Sequence, residues 1–341
     1  MTILAGDLGG TKTLLALCDD SGTVLHKQRF ASMGYPDLES MIAEFLASHS
    51  SLPMPRRAAI GVAGPVVEVG THQESDITNL HYRLSGQRLA ERFGFSAVRL
   101  LNDFYAVAVA IAQVAQGHSF AGLVLHSLQP GAVAVQGAPI AVLGAGTGLG
   151  EALIAFHGEV PIILPTEGGH TDFAPHDETE LSLWRFLARR FPDHISQERL
   201  VCGSGIVTLY EFFKEEFPDL ESPQVAAEIA RSADAAQVIS HHALLQTDRL
   251  CERVLERFVM LYGAEAGNLA LKSLARGGVY LAGGIAAKNL SLFTDGRFVS
   301  HFARKGRFSA LLQSIPIHVV QCEEIGLLGA ISTCVRLPVE G

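Results

Sequence analysis

Apolar residues at 38, 41, 42, 45 and 46 recur at intervals of three and four, which places Leu38, Met41, Ile42, Phe45 and Leu46 on one face of a helix ending near Ser48. Asp37 stands where its side chain can cap that helix, and ProMetPro at 53–55 stops it. Other apolar segments are short and continuous: residues 3–5, 14–17, 58–66 and 97–101 read as buried strands, with helices predicted over 85–93 and 106–113. This alternation predicts an α/β domain whose sheet is extended by parallel strands. Downstream, 178–191 and 205–217 read as helices, and 223–273 is almost continuously helical in pattern. The last apolar segments predict a strand over 315–321 and a helix over 326–331.

Chemistry enters at the first strand. The segment IleLeuAlaGlyAspLeuGlyGlyThrLysThrLeuLeuAlaLeu (3–17) is strand, glycine turn, strand, with Asp7 at the strand end facing the bare backbone of Gly9, Gly10 and Thr11. Such a turn can cradle phosphate oxygens through N–H groups, and the carboxylate can hold a metal ion. A dinucleotide-binding turn would open a helix instead, and a P-loop needs a Gly-Lys dipeptide that this chain lacks. A second segment, AlaValLeuGlyAlaGlyThrGlyLeuGlyGluAlaLeuIle (141–154), repeats the pattern. Two phosphate-type hairpins a domain's length apart suggest two similar halves gripping one polyphosphate.

Composition narrows the classes. A chain of 341 residues with 48% hydrophobic content is long enough for two cores. Its net charge of −9, without a long Lys/Arg cluster, excludes a nucleic-acid footprint, and affinity for nucleotide must come from local N–H groups and a divalent cation. No apolar run is long enough to span a bilayer, so no membrane partner is expected. Five scattered cysteines and the lack of a basic-then-apolar leader before the first strand point to the cytoplasm. Those cysteines, at 18, 202, 251, 322 and 334, include no close pair of the kind a zinc motif uses.

Five motifs then occur in order: GlyAspLeuGlyGlyThr (6–11), LeuAsnAspPheTyrAla (101–106), GlyAlaGlyThrGlyLeuGly (144–150), GluGlyGlyHisThrAspPheAlaPro (167–175) and TyrLeuAlaGlyGlyIle (280–285). In this order the chain resembles the sugar kinases of the actin-like ATPase superfamily, and most closely the bacterial glucokinases. The resemblance implies a two-domain actin-like ATPase (ribonuclease H-like) fold, with a cleft between a small α/β domain (1–113 plus 322–341) and a larger helix-rich α/β domain (114–321). It implies transfer of the γ-phosphoryl group of ATP, with Mg²⁺ near Asp7, to the C6 hydroxyl of glucose. A homodimer is expected by the same analogy.

Residue roles follow the motifs. Asp103, at a strand end, is the candidate base, and the competing reading is a plain helix N-cap. Asn102 beside it offers an amide to a sugar hydroxyl. Glu167 and His170 flank two glycines expected to let backbone approach a sugar ring. Glu198 resembles a further sugar-binding glutamate, with an exposed helix charge as its alternative. Asn79 resembles a pocket residue, and Tyr82 stands where the family commonly has Trp in the pocket wall. Gly6, Asp7, Leu8, Gly9, Gly10 and Thr11 are expected to meet the nucleotide in one half, and Gly146, Thr147 and Gly148 in the other. Gly283 and Gly284 resemble the adenosine-binding turn. The rivals are a kinase for another hexose, such as mannose or fructose, and a non-catalytic sugar-sensing regulator. The intact Asp103 and the lack of a helix-turn-helix before the first strand disfavour the regulator.

Overall fold

The computed structural model of the chain describes residues 1–77 and 80–338. Two compact units form, one from residues 1–121 with 324–341 and the other from 122–323.

The first unit contains β1 (Thr2–Leu8), β2 (Lys12–Asp19), β3 (Val24–Ala31), α1 (Leu38–Ser48), β4 (Arg57–Val62), β5 (Val67–Val69), β6 (His72–Ile77), β7 (Tyr82–Ser85), α2 (Gly86–Phe93), β8 (Ala97–Asn102) and α3 (Asp103–Ala115). Its main sheet has the order β3-β2-β1-β4-β8, antiparallel among the first three and parallel from β1 through β4 to β8. Side chains alternate across β1, as a pleated strand requires. Leu4 and Leu8 join the core with α1, while Ile3 and Ala5 face the opposite way. That opposite face is closed by α3 and by the last helix of the chain, whose Leu327, Ala330, Ile331 and Cys334 complete the cluster.

The second unit contains β9 (Val124–Ser127), β10 (Ile140–Ala145), β11 (Leu149–His157), β12 (Val160–Thr166), α4 (Glu178–Ala188), α5 (Gly203–Glu216), α6 (Pro223–Arg231), α7 (Ala235–Leu244), α8 (Arg249–Ser273), β13 (Gly278–Ala282), α9 (Gly284–Lys288), α10 (Leu290–Phe293), α11 (Arg297–Ala303), α12 (Ser309–Gln313) and β14 (Ile317–Gln321). The chain then returns to the first unit as α13 (Ile325–Arg336). The second sheet runs β12-β11-β10-β13-β14-β9, again antiparallel over its first three strands and parallel over the next two pairings. With β9 set aside, this order duplicates the first sheet. The faint repeat in the glycine hairpins is therefore a repeat of whole architecture.

The continuous helical pattern over 223–273 resolves into α6, α7 and α8, because Ser222, Asp234 and Asp248 each cap a new start. The helix predicted at 205–217 begins two residues earlier, at Gly203, with Cys202 accepting from Gly205 N. The long α8 is the spine of the unit: Val254, Phe258 and Tyr262 are wholly buried along it. Among the described residues, no helix is long and apolar enough to cross a membrane.

Candidate active site

Asp7 lies near the end of β1, opposite Gly61 of β4 and Leu14 of β2. Its carboxylate is boxed in by glycine: a Cβ on Gly326, at the start of α13, would stand 2.8 Å from Oδ2. Burial raises its pKa to about 6, the negative charge of Asp103 adds to the rise, and Lys12 opposes it. The structure thus brings Asp7 and Asp103 into one electrostatic environment. The adjoining turn is closed by Gly9 N donating to Lys12 O at 3.0 Å, and the α-carbon of Gly10 faces open space. Gly6 and Leu8 bring backbone rather than side chain to this turn. Leu8 is wholly buried, and Gly6 is packed between Ile60 and Leu15, so their side-chain positions belong to the core.

The alternatives posed for Asp103 separate. The N-cap of α3 is Asn102, whose Oδ1 accepts from Phe104 N at 3.0 Å and Tyr105 N at 3.1 Å. Its Nδ2 donates to Gly64 O at 3.3 Å, which leaves one amide hydrogen for another acceptor. Asp103 occupies the first helical position, half-buried, with Oδ1 accepting from Phe104 N at 2.8 Å. Asn79 lies outside the described residues. Tyr82 is buried, and its hydroxyl lies 2.8 and 2.7 Å from Ser32 O and Tyr35 O, to which it donates.

In the second unit the turn between β10 and β11 is fixed from behind. Gly203 N donates to Gly146 O at 2.9 Å, and Ala145 N to the Tyr262 hydroxyl at 3.2 Å. A cavity of about 1010 Å³ opens beside it, lined by Gly146, Thr147, Ser204, Gln237, Gly284 and Lys288 among others. Gly284 begins α9 and Lys288 follows one turn later on the same face, a helical spacing that could have identified this lysine from sequence. Ser204 and Gln237 gave no such signal. At Gly148 the Glu198 carboxylate fills the space a Cβ would need and accepts from Leu149 N at 2.8 Å. Glu198 is accordingly half-buried and anchored, not an exposed helix charge.

Glu167 and His170 stand on one tight turn, Gly168–His170, with His170 N donating to Glu167 O at 3.0 Å. Both side chains are exposed. The two intervening glycines are closely packed on the side a Cβ would take. A Cβ on Gly168 would fall 1.9 Å from Glu151 Oε2, and one on Gly169 would fall 2.3 Å from Leu149 O. Glycine is required here because the turn is seated directly on β11. His170 and Glu198 line a common cavity of about 410 Å³, together with Arg190, His194 and Ser196. His194 Nε2 is 2.7 Å from His170 O and holds the far side of the turn.

A sheet order used twice, each time with a glycine turn behind the first strand and a carboxylate or helix start facing it, defines the actin-like ATPase fold of sugar kinases. Within that class the chain belongs to the glucokinase family, whose profile matches residues 4–336. It is 37% identical to a glucokinase of Trichormus variabilis, covering 98% of this chain and 99% of that one. Among solved structures it resembles a glucokinase from an Antarctic psychrotroph at 29% identity, with a TM-score of 0.80 and 98% of each chain covered. The fold is also that of a glucokinase from Balamuthia mandrillaris in complex with glucose, at 23% identity and a TM-score of 0.78, with 98% of this chain and 93% of that one covered.

Proposed function

We propose that this chain is an ATP-dependent glucokinase that transfers the γ-phosphoryl group to the C6 hydroxyl of glucose. The observation that carries the reading is Asp103, ionisable and held at the first turn of α3 beside Asp7, in a chain that matches glucokinases from end to end. A sugar hydroxyl is too weak an acid to ionise in advance. The Asp103 carboxylate orients it and takes its proton as the bond to phosphorus forms. Asn79, Asn102, Glu167, His170 and Glu198 supply the dense set of polar partners that a hexose demands. Gly9, Gly10 and Thr11, with Gly146, Thr147 and Gly284, serve the nucleotide, and the large cavity beside Thr147 is sized for it.

Asp7 fits a Mg²⁺ site. Its carboxylate is desolvated and repelled by Asp103, a combination that a divalent cation relieves. No cluster of three His, Cys, Asp or Glu is present among the described residues, and Mg²⁺ typically needs only one or two carboxylates when substrate phosphates complete its shell. Bound there, the cation would neutralise phosphate charge. The five free thiols support a reducing, cytoplasmic setting. A homodimer belongs to the same reading, supported by the exposed apolar row Val160, Ile162 and Leu164 on β12, and sedimentation equilibrium should give twice the chain mass.

The test is a coupled assay of ADP formation with glucose, mannose and fructose. Turnover that depends on glucose and exceeds that with the other hexoses supports the reading. ADP release indifferent to sugar would reject it. Replacing Glu167 or His170 by Ala should raise KM for glucose by about ten- to a hundredfold, the scale of about 1–3 kcal/mol for an unpaired polar group, with KM for ATP nearly unchanged. A change confined to ATP would overturn their assignment to the sugar.

A further inference from the structure

Beneath the turn that carries Glu167 and His170 lies a group for which the reaction has no use. Glu151 sits on β11, opposite Leu143 of β10 and Thr166 of β12, and is 2% exposed. Neither carboxyl oxygen has a hydrogen-bond partner. Its Oε2 occupies the space a side chain on Gly168 would need, so the carboxyl and the α-carbon of Gly168 are in direct contact. Thr166 closes the arrangement: its hydroxyl donates to Glu151 O at 3.2 Å and accepts from Gly168 N at 3.1 Å.

From this geometry we propose that Glu151 is a positioning residue for the sugar, its carboxyl packing dry under Gly168 and setting the height at which Glu167 and His170 are presented. The inference rests on the reading of those two residues as sugar ligands. A carboxylate with no donor is unstable in a dry site, so the packed form is the neutral acid. The titratable and charged groups facing it are Glu265, Tyr262 and Lys272, all from α8. Its strand neighbours Leu143 and Thr166 bring no charge, and the turn itself adds the exposed Glu167 and His170. Glu265, 1% exposed and held by Asn268 Nδ2 at 2.9 Å, opposes ionisation of Glu151, while Lys272 favours it. Lys305 bonds Asn268 Oδ1 at 2.6 Å and Ala264 O at 2.9 Å, so its donors are directed to those atoms.

Burial, reinforced by Glu265, raises the Glu151 pKa from an ordinary 4.5 to about 8. The sign follows directly. An acid whose folded pKa is raised stabilises the fold most fully below its unfolded value, and that stability is lost as pH rises through the folded value. Above about pH 8 the charged carboxyl must recruit water, which lifts Gly168 and the sugar-binding turn.

The experiment measures KM for glucose, KM for ATP and kcat from neutral to alkaline pH in the wild type, Glu151→Gln and Glu151→Met. The wild type should show KM for glucose rising by about fivefold or more across the titration, with KM for ATP flat. Glu151→Gln keeps the shape without the titration, so it should match the wild type at neutral pH and lose the alkaline rise. Its thermal midpoint should exceed that of the wild type increasingly as pH climbs. Glu151→Met, of similar length and also unable to ionise, repeats the kinetic test if Gln does not fold. An alkaline rise that persists in either folded variant overturns the role of Glu151. The two readings fail separately: an unchanged glucose KM in Glu167→Ala strikes the sugar assignment, whereas the pH profile of Glu151→Gln strikes only the positioning.

Discussion

Asp103→Asn is expected to lower kcat by at least about a hundredfold while leaving the fold and glucose binding largely intact, the scale for loss of a positioned general base. The substitution is isosteric, and an amide oxygen can still accept from Phe104 N as Oδ1 does now. The cap of α3 is Asn102, which is untouched, so the helix retains its start. What disappears is the capacity to take a proton. A second effect reaches Asp7, because Asp103 is one of the two causes holding its pKa up near 6. Removing that charge lowers the Asp7 value. Turnover at saturating glucose and ATP, with calorimetry for glucose alone, checks both parts. Wild-type kcat in the purified variant would remove Asp103 from the role of base.

The second large effect is expected at a position with no chemistry. A Cβ on Gly329 of α13 would fall 1.8 Å from the Ala106 carbonyl oxygen of α3. That oxygen belongs to helix backbone and cannot swing aside as a flexible side chain would. Gly329→Ala must therefore drive the two helices apart, at a cost of about 1–3 kcal/mol or more for overpacking a close crossing. The strain is delivered to the site. One helix opens with Asp103, and the other carries Gly326 against the Asp7 carboxylate. The expected results are a lowered denaturation midpoint and reduced kcat in the fraction that remains folded. An unchanged midpoint would show that the crossing tolerates a methyl group and that the packing argument fails.

Local patterns proved legible wherever one segment carried its own instructions. Asp37 caps α1 through Ser40 N, and the five apolar residues spaced at three and four are all buried. The hairpin around Asp7 and the strand leading to Asn102 are likewise encoded in short contiguous runs. The breaks between α6, α7 and α8 escaped notice because apolar periodicity carries across the capping residues Asp234 and Asp248. Strand β12 was hidden for another reason. Pro161 and Pro165 argue against a strand, and only its place at the sheet edge accommodates them. At the site, Asp7 and Asp103 could be singled out from their motifs. The exchange of capping duty between Asn102 and Asp103 depends on the backbone of Asn102, at φ −56° and ψ 142°, which no spacing specifies. Glu151 was the least legible, a single charge in an apolar strand. Its surroundings, Gly168 against the carboxyl and Glu265 raising its pKa, come from residues remote in sequence.

The return of α13 to the first unit sets an order of events during synthesis. Strands β1, β2, β4 and β8 and helix α3 leave the ribosome well before α13, and one face of their sheet lacks Leu327, Ala330, Ile331 and Cys334 until that helix emerges. The intervening segment 122–323 holds its own core and can close while that face is still bare. The first unit is thus completed only after the second has been made. Because Gly326 comes with α13, the surroundings of Asp7 are assembled only once that helix has been made, and a product that stops before residue 325 lacks them.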